Sequence, residues 1–547
     1  MKIRKSFFNA KWFHLLSLSV FVCVQLSLIS SCRSRQKTDM RSLAPAETLV
    51  YLETSDLSEM LETLTQNKAF QELAATTKDF SQLKNVQVAA IVTGFETSEK
   101  QITREQAILN FKPRFALIAD THTWNTTAAS IAENQIGKFV EETYGQDVKL
   151  EKSEKRDAKF FAWTSADGRK LFAAVSKSII YVGNDGSLLD KCLAVQRNEA
   201  ENLLKNENLD RTRANANTDK NLLALGYVSP DGIAQIADAA GVSLALEASE
   251  EEVVKSFIAK ALPAVLQKTT NEIAWSARKT QNGIEDKLFI KTAPEVASVL
   301  KETLVPPSEN ELQAAEFLPV NFNSTTRYHL QNPQIAWRSV LLLTAKQIDA
   351  LGAKILLQVS NSLFEPYGVR NAETFLSAVG SEITTAQFDE EGDKTVVIAE
   401  IKDIEKLKKS ISEEINFKAK PEKIGPADVW TSKDKTLAAA LTEGKLILGE
   451  SASVMLCLQA KENGQNFAKT IQFKNFAQSS AVATTGAKDA ETAQKIVSVL
   501  GAPQDERKRF VGFYQTETRF NESGIERRTI SDFGLIGTIL EQFAKEE

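Results

Sequence analysis

Trp163-Thr164-Ser165-Ala166-Asp167 leads into Leu171-Phe172-Ala173-Ala174-Val175 and then Ile179-Ile180-Tyr181-Val182-Gly183. Far downstream a second copy appears: Trp430-Thr431-Ser432-Lys433-Asp434, then Leu437-Ala438-Ala439-Ala440-Leu441, then Lys445-Leu446-Ile447-Leu448-Gly449. Leu171 to Gly183 and Leu437 to Gly449 align without a gap. In each copy a polar turn, Ser176-Lys177-Ser178 or Thr442-Glu443-Gly444, separates two apolar runs, which predicts an antiparallel hairpin. A shared pattern of this length predicts an internal duplication.

Other matches fall in the same order on either side of the hairpins. Ala44-Pro45 is answered by Leu318-Pro319, Ala116-Leu117-Ile118-Ala119-Asp120 by Val396-Val397-Ile398-Ala399-Glu400, and Asn282-Gly283-Ile284-Glu285 by Ser523-Gly524-Ile525-Glu526. In the first half, strands are expected at 48–53, 86–92, 107–111 and 114–120, and a helix at 126–144. Residues 198–221 are rich in Asn, Asp, Glu, Arg and Thr and are expected to form a surface loop. In the second half, one long amphipathic helical region is expected from Trp337 past Val359. The fold class that follows is α+β, with two duplicated halves, each an antiparallel β-sheet packed against helices. The expected boundaries are a signal at 1–31, a tether at 32–42, a first half at 43–305, a linker at 306–314 around Pro306-Pro307, and a second half at 315–547.

A chain of 547 residues is too long for one core. Hydrophobic content of 43% and charged content of 25% are those of an ordinary globular protein. The net charge is -5, and the first 31 residues hold Lys2, Arg4, Lys5 and Lys11 without an acid, so the remainder is four units more negative, at -9. That balance argues against a nucleic-acid partner, which requires a basic surface.

The N-terminus carries the clearest message. After the basic residues comes an apolar run from Leu15 to Ile29, too short for a stable span, ending in Ile29-Ser30-Ser31-Cys32. This resembles the lipobox of bacterial lipoproteins, whose aliphatic and small residues let a signal peptidase grip the backbone while the cysteine thiol accepts a diacylglycerol. The resemblance implies lipidation at Cys32 and a membrane partner reached through acyl chains such as palmitate. Arg33 follows instead of the Asp that retains enteric lipoproteins at the inner membrane, so the family rule points to the outer membrane or its periplasmic face.

Of the four cysteines, Cys23 lies in the signal and Cys32 at the lipid site, leaving Cys192 and Cys457. Both fall on matching helices with apolar neighbours three or four positions before them. Two buried thiols are expected, with a disulfide between the duplicated helices as the alternative. No C-x-x-C, H-E-x-x-H, Walker A, G-x-S-x-G or G-x-G-x-x-G occurs, and no cofactor or metal is expected. His122 and His329 are expected in structural polar roles. Ser298-Val299-Leu300-Lys301 has the S-x-x-K spacing of penicillin-recognising enzymes but lacks their companion motifs, and Gly183-Asn184-Asp185-Gly186 lacks the Lys and Ser/Thr of a phosphate loop. Trp163 and Trp430 are expected in the core.

Leu43-Ala44-Pro45-Ala46-Glu47-Thr48 before an aliphatic strand, Gly368-Val369-Arg370-Asn371-Ala372-Glu373-Thr374-Phe375-Leu376 running into Val379-Gly380-Ser381-Glu382-Ile383, and the paired hairpins together resemble a bacterial family of exported proteins known as a domain of unknown function. That resemblance implies an envelope location and an α+β repeat fold, and carries no catalytic residues. The function expected is a lipid-anchored envelope protein that binds or scaffolds without catalysis. The alternatives are a carboxylate-dependent envelope hydrolase and a carrier or chaperone for an apolar envelope cargo; the partners expected are an envelope protein or an apolar ligand.

Overall fold

The computed structural model describes residues 37–101, 107–145, 147–217, 221–248, 252–281, 283–307, 313–470, 480–488, 490–504, 512–542 and 544. The lipobox and Cys32 lie outside them. The described chain opens with β1 (Val50–Thr54), helices α1 (Leu57–Thr65) and α2 (Lys68–Leu73), and a short β2 (Ala74–Thr77). The hairpin β3 (Gln87–Gln101) and β4 (Ala107–Asp120) leads to α3 (Asn125–Ile131) and α4 (Gly137–Tyr144), joined by a π-turn at Ala132–Ile136. Then come β5 (Lys149–Lys155), β6 (Ala158–Thr164), β7 (Lys170–Ser176) and β8 (Ile179–Gly183), followed by α5 (Gly186–Gln196) and α6 (Glu207–Asn217). The strand β9 (Leu222–Val228), helices α7 (Pro230–Ala248) and α8 (Glu252–Thr269), strands β10 (Thr270–Thr280) and β11 (Gly283–Thr292), and α9 (Pro294–Thr303) come next.

Beyond the Pro306-Pro307 stretch, β12 (Ser324–His329) precedes α10 (Pro333–Ala345), α11 (Ala350–Ser362) and α12 (Ala372–Ala378). Strands β13 (Val379–Gln387) and β14 (Thr395–Ile401) lead through α13 (Ile404–Ser410) to β15 (Glu422–Ile424), β16 (Ala427–Thr431), β17 (Leu437–Thr442) and β18 (Lys445–Glu450). The chain ends with α14 (Ser451–Asn463), β19 (Val482–Lys488), α15 (Ala490–Leu500), β20 (Gly501–Pro503), β21 (Gly512–Asn521), β22 (Gly524–Ser531) and α16 (Gly534–Glu541).

Twenty of these strands pair antiparallel in one open run: β5-β6-β7-β8-β4-β3-β1-β9-β10-β11-β22-β21-β19-β12-β13-β14-β18-β17-β16-β15. The mixed α+β class is as expected, but the two separate sheets of the sequence reading are a single sheet. They are welded by β11 and β22, which pair from Ile284↔Ser531 to Lys291↔Gly524. The outer strand β5 exposes all seven of its residues, five of them charged, which discourages pairing with another chain.

Alternation along each strand sends residues to opposite faces, so helices cover both. On the first part of the sheet, Ile118, Tyr181, Leu189 and Cys192 form one core, and Val92, Leu117, Val182 and Trp163 another with α1 to α4. That second core is completed from the far end of the chain by Ile496, Val497 and Leu500 of α15 and Ile536 and Leu540 of α16. The second part of the sheet is built alike, with Ile398, Ile447 and Cys457 in one core and Val397, Leu446 and Leu448 in the other.

The repeated Trp-Thr-Ser-x-Asp has a local cause. Ser432 Oγ donates to Asp434 at 2.5 Å and the Asp434 carboxylate accepts the Thr436 N–H at 3.2 Å, closing the turn between β16 and β17. Ser165, Asp167 and the Arg169 N–H do the same between β6 and β7. The second hairpin turns on Glu443 and Gly444 with positive φ, 48° and 74°, the geometry that matches strand twist. Gly183 and Gly449 end the hairpins because β4 and β14 pass too close for a side chain. A Cβ would lie 2.5 Å from the Phe115 carbonyl oxygen in one case and 2.1 Å from that of Thr395 in the other.

Several expected elements differ. The strands expected at 107–111 and 114–120 are one strand that runs through Pro113, which pairs with Phe95 beside a bulge at Val92/Gly94. The expected loop at 198–221 contains α6, a polar helix held by ion pairs of Arg213 to Asp39 at 2.6 Å and Glu53 at 3.1 Å. The single helical region after Trp337 is two helices, since Asp349 accepts the Gly352 N–H at 2.7 Å and caps a new one. The tether expected at 32–42 is docked from Thr38 onward: Thr38 exchanges two 2.8 Å hydrogen bonds with Gln87 and donates to Asp120 at 2.6 Å, and Met40 and Leu43 are buried.

Gly183→Ala should destabilise the protein by about 1–3 kcal/mol, because β4 must shift to admit the methyl group. Gly94→Ala, which meets nothing within 4 Å, should stay within about 0.5 kcal/mol. Urea unfolding of the two variants checks the difference.

Candidate functional site

The middle of the sheet carries charge where a core would ordinarily be. On one face of β11, β22 and β21 lie Glu285 and Lys287, Arg528, and Glu517 and Arg519. Arg528 Nε donates to Glu285 at 2.6 Å and its guanidinium reaches Glu517 at 3.9 Å. Lys287 lies 3.7 Å from Glu285, and Arg519 3.0 Å from Glu517. The Lys287 and Arg528 side chains keep 37% and 39% of their exposure, so this face is open to solvent there. Glu285 and Glu517 share one guanidinium, which orients both as acceptors rather than leaving an acid and a base across a gap.

Along the same row, β12 and its neighbours bury a second charged group. Arg327, His329, Glu382 and Lys445 are each under 8% exposed. Burial pushes the Glu382 carboxyl up to about 7, against the opposing pull of Lys445, Arg327 and the N–H groups of Ala314 and Gln313. Burial also lowers the Arg327 pKa, while Glu382 and Glu517 counter it. Glu382 therefore titrates near neutrality in a place where cations and backbone donors converge.

The residues singled out in the sequence are scattered. His122 sits at a turn with φ of 51°, its N–H donating to Asp120 at 3.0 Å and its ring 3.5 Å from the same carboxylate. His329 is buried on β12, in a different part of the sheet. Cys192 and Cys457, the candidates for a bridge, are free and buried in different core clusters. Burial pushes the Cys192 thiol up to about 12 and raises that of Cys457 as well. Trp163 is core, stacked 5.9 Å from Phe161, and Trp430 is half-buried with its indole N–H on the Ala419 carbonyl at 2.9 Å. Ser298 and Lys301 turn to Glu302 and Glu522, at 2.9 and 2.5 Å, rather than to each other. Asp185 of the glycine-flanked turn caps α5, and Asn184 ties that turn to Pro113 and Phe115. Among the described residues no group of three or more His, Cys, Asp or Glu could hold a metal ion.

A third feature is apolar and exposed. The helices α10 and α11 leave Ile335 at 47%, Leu342 at 62%, Leu357 at 56% and nearby Leu363 at 62% exposed. Their connecting turn lies against the last turn of α8, just before β10, where Lys268 Nζ donates to the Gln347 carbonyl at 3.0 Å. There β10 runs beside Val228, which pairs with Val50 at the beginning of β1. Thr38 docks at the other end, beside Gln87 and Asp120. The exposed leucines and the docked Thr38 segment thus lie toward opposite ends of the strands β3, β1, β9 and β10.

Raising the Glu382 pKa above its unfolded value means that the folded state binds the proton more tightly. Stability should therefore fall as pH rises from about 4.5 to about 7, with the full penalty present above that window. Glu382→Gln should lack this slope, so the variant should gain on the wild type across the window. Urea midpoints measured at both ends decide it; a difference that stays constant would mean the carboxyl titrates normally.

Comparison of the chain with family models, with curated proteins and with solved structures finds no match in any of the three.

Proposed function

We propose that this protein is a lipid-anchored, non-catalytic binding or scaffold protein of the cell envelope, carried on acyl chains at Cys32. The observation that carries the docking part is the exposed apolar hairpin of α10 and α11, because large apolar side chains left in water by a folded chain mark contact surfaces. The anchoring part rests on the basic leader, the apolar run and Ile29-Ser30-Ser31-Cys32. From Cys32 to Thr38 an extended chain reaches at most about 20 Å. That keeps the Thr38 end of the sheet near the membrane and turns the leucine-bearing end away from it, toward envelope partners. The ion-paired centre of the sheet supports binding over hydrolysis, since its two nearest carboxylates are held by one arginine.

The same reading holds that the scaffold arose from two duplicated halves. The strand order supports this: followed inward from β5 or from β15, the sheet passes a meander ending in the repeated hairpin, then a strand preceding that meander in the chain, and so on to β11 or β22. The closing helices support it too. Val296 and Leu300 of α9 pack with Phe520 and Ile525 of β21 and β22, while α16 packs over β10 and β11, so each half covers the other's last strands.

Cys32→Ser should move the protein from the membrane fraction to the soluble envelope fraction and abolish incorporation of labelled palmitate. Unchanged fractionation and labelling would overturn the anchor. Leu342→Lys combined with Leu357→Lys should leave the melting temperature near that of the wild type, since both residues are exposed. It should abolish the cross-linked species that a photo-reactive residue at Ile335 forms in intact envelopes. The same cross-linked species in the variant, or none in the wild type, would overturn docking through this face.

A further inference from the structure

Under α16 the structure holds an apolar pocket of about 90 Å³. Its floor is sheet, with Leu52, Ala90 and Trp275, and its walls are Leu57 and Met60 of α1 and Ile539 of α16. Glu53 also borders it, but its carboxylate serves the opposite face, accepting the Tyr51 hydroxyl at 2.7 Å and pairing with Arg213 at 3.1 Å. Among the described residues, no charged group therefore faces the pocket from its lining.

The space exists because of what the sheet omits. Leu52 pairs with Ala90 on one side and Gly226 on the other, and Gly226 pairs with Trp275. A Cβ on Gly226 would lie 2.8 Å from both Leu52 Cδ2 and Trp275 Cε3. Leu52 and Trp275 thus close over Gly226, and the room lies beside them, where the small residues Ala90 and Ala224 line it from the neighbouring strands. Collapse is resisted by one buried carboxylate. The Trp275 indole N–H donates to Asp286 at 2.9 Å, and the other Asp286 oxygen accepts the Leu535 N–H at 2.8 Å. Floor and roof are fixed to the same side chain, so the void cannot close by moving either alone.

We infer that this pocket binds the end of an uncharged alkyl chain, with the polar head of the amphiphile left in water. A dry apolar cavity favours an apolar guest, and one of about 150 Å³ already accepts a benzene ring. This smaller one suits a slim chain. The site stands apart from the exposed hairpin of α10 and α11 and does not depend on docking there.

The probe is a homologous series of ω-bromo-1-alkanols added to the full-length protein, read by heavy-atom quenching of tryptophan fluorescence. Affinity should rise about fourfold per methylene and then level off at the length that fills the pocket. Trp275→Phe should remove the saturable quenching, identifying this tryptophan among the six. Ala90→Leu should occupy the space and abolish saturation while circular dichroism stays unchanged. If that variant does not fold, Ala224→Val fills the same pocket from β9 and must give the same loss. Quenching that is linear in concentration, that keeps strengthening through the longest chain, or that persists unchanged in the filled variant would overturn the site.

Discussion

The pairing of β11 with β22 is the contact on which the rest of this molecule depends. Each strand is the last of its own stretch of sheet, and each would otherwise present a row of unpaired backbone donors and acceptors. Their eight registered residue pairs, from Ile284↔Ser531 to Lys291↔Gly524, satisfy both rows and turn two sheets into one. The Arg528–Glu285 ion pair crosses that seam and fixes its register from the side-chain face.

Joining the sheet at this seam dictates where the terminal helices go. The face of β11 and β22 opposite the ion pairs must be covered by something, and the nearest helices are those that follow the strands themselves. The short connections after Thr292 and Ser531 carry α9 over β21 and β22, and α16 over β10 and β11. The core around Val92, Leu117 and Trp163 consequently includes α15 and α16 from the chain's last segment, held by the Lys78 N–H on the Leu500 carbonyl at 3.0 Å and the Gln504 N–H on that of Leu73 at 2.7 Å. Removing that segment would open a core some four hundred residues away in sequence.

Much of the fold was legible because it is written in local chemistry. The hairpins at 171–183 and 437–449 show as apolar runs around a turn, and their terminal glycines answer to a neighbouring backbone only 2.5 Å or less from a hypothetical Cβ. Helix α6 was not legible, because a polar helix has no apolar stripe and owes its place to Asp39 and Glu53. The charged groups at Glu285, Arg528, Glu517 and Glu382 escaped notice for a related reason. Ordinary acids and bases occur throughout the chain, and only strand registry makes these particular ones neighbours. The faint signal was the alternation of charge within Ile284-Glu285-Asp286-Lys287 and Ile525-Glu526-Arg527-Arg528, unusual for strands at the centre of a sheet.

By itself the sequence determined the mixed α+β class, the two hairpins and the burial of Cys192, Cys457 and Trp163. Each depends on residues near one another in the chain, where periodicity, turn chemistry and composition act. Only the tertiary structure decided that the sheets are continuous, that the closing helices cross over, that leucines of α10 and α11 stay in water, and that Leu52, Trp275 and Ile539 frame a pocket. Those features come from pairings between strands far apart in the chain, and the pattern within a single strand does not specify which edge it will meet.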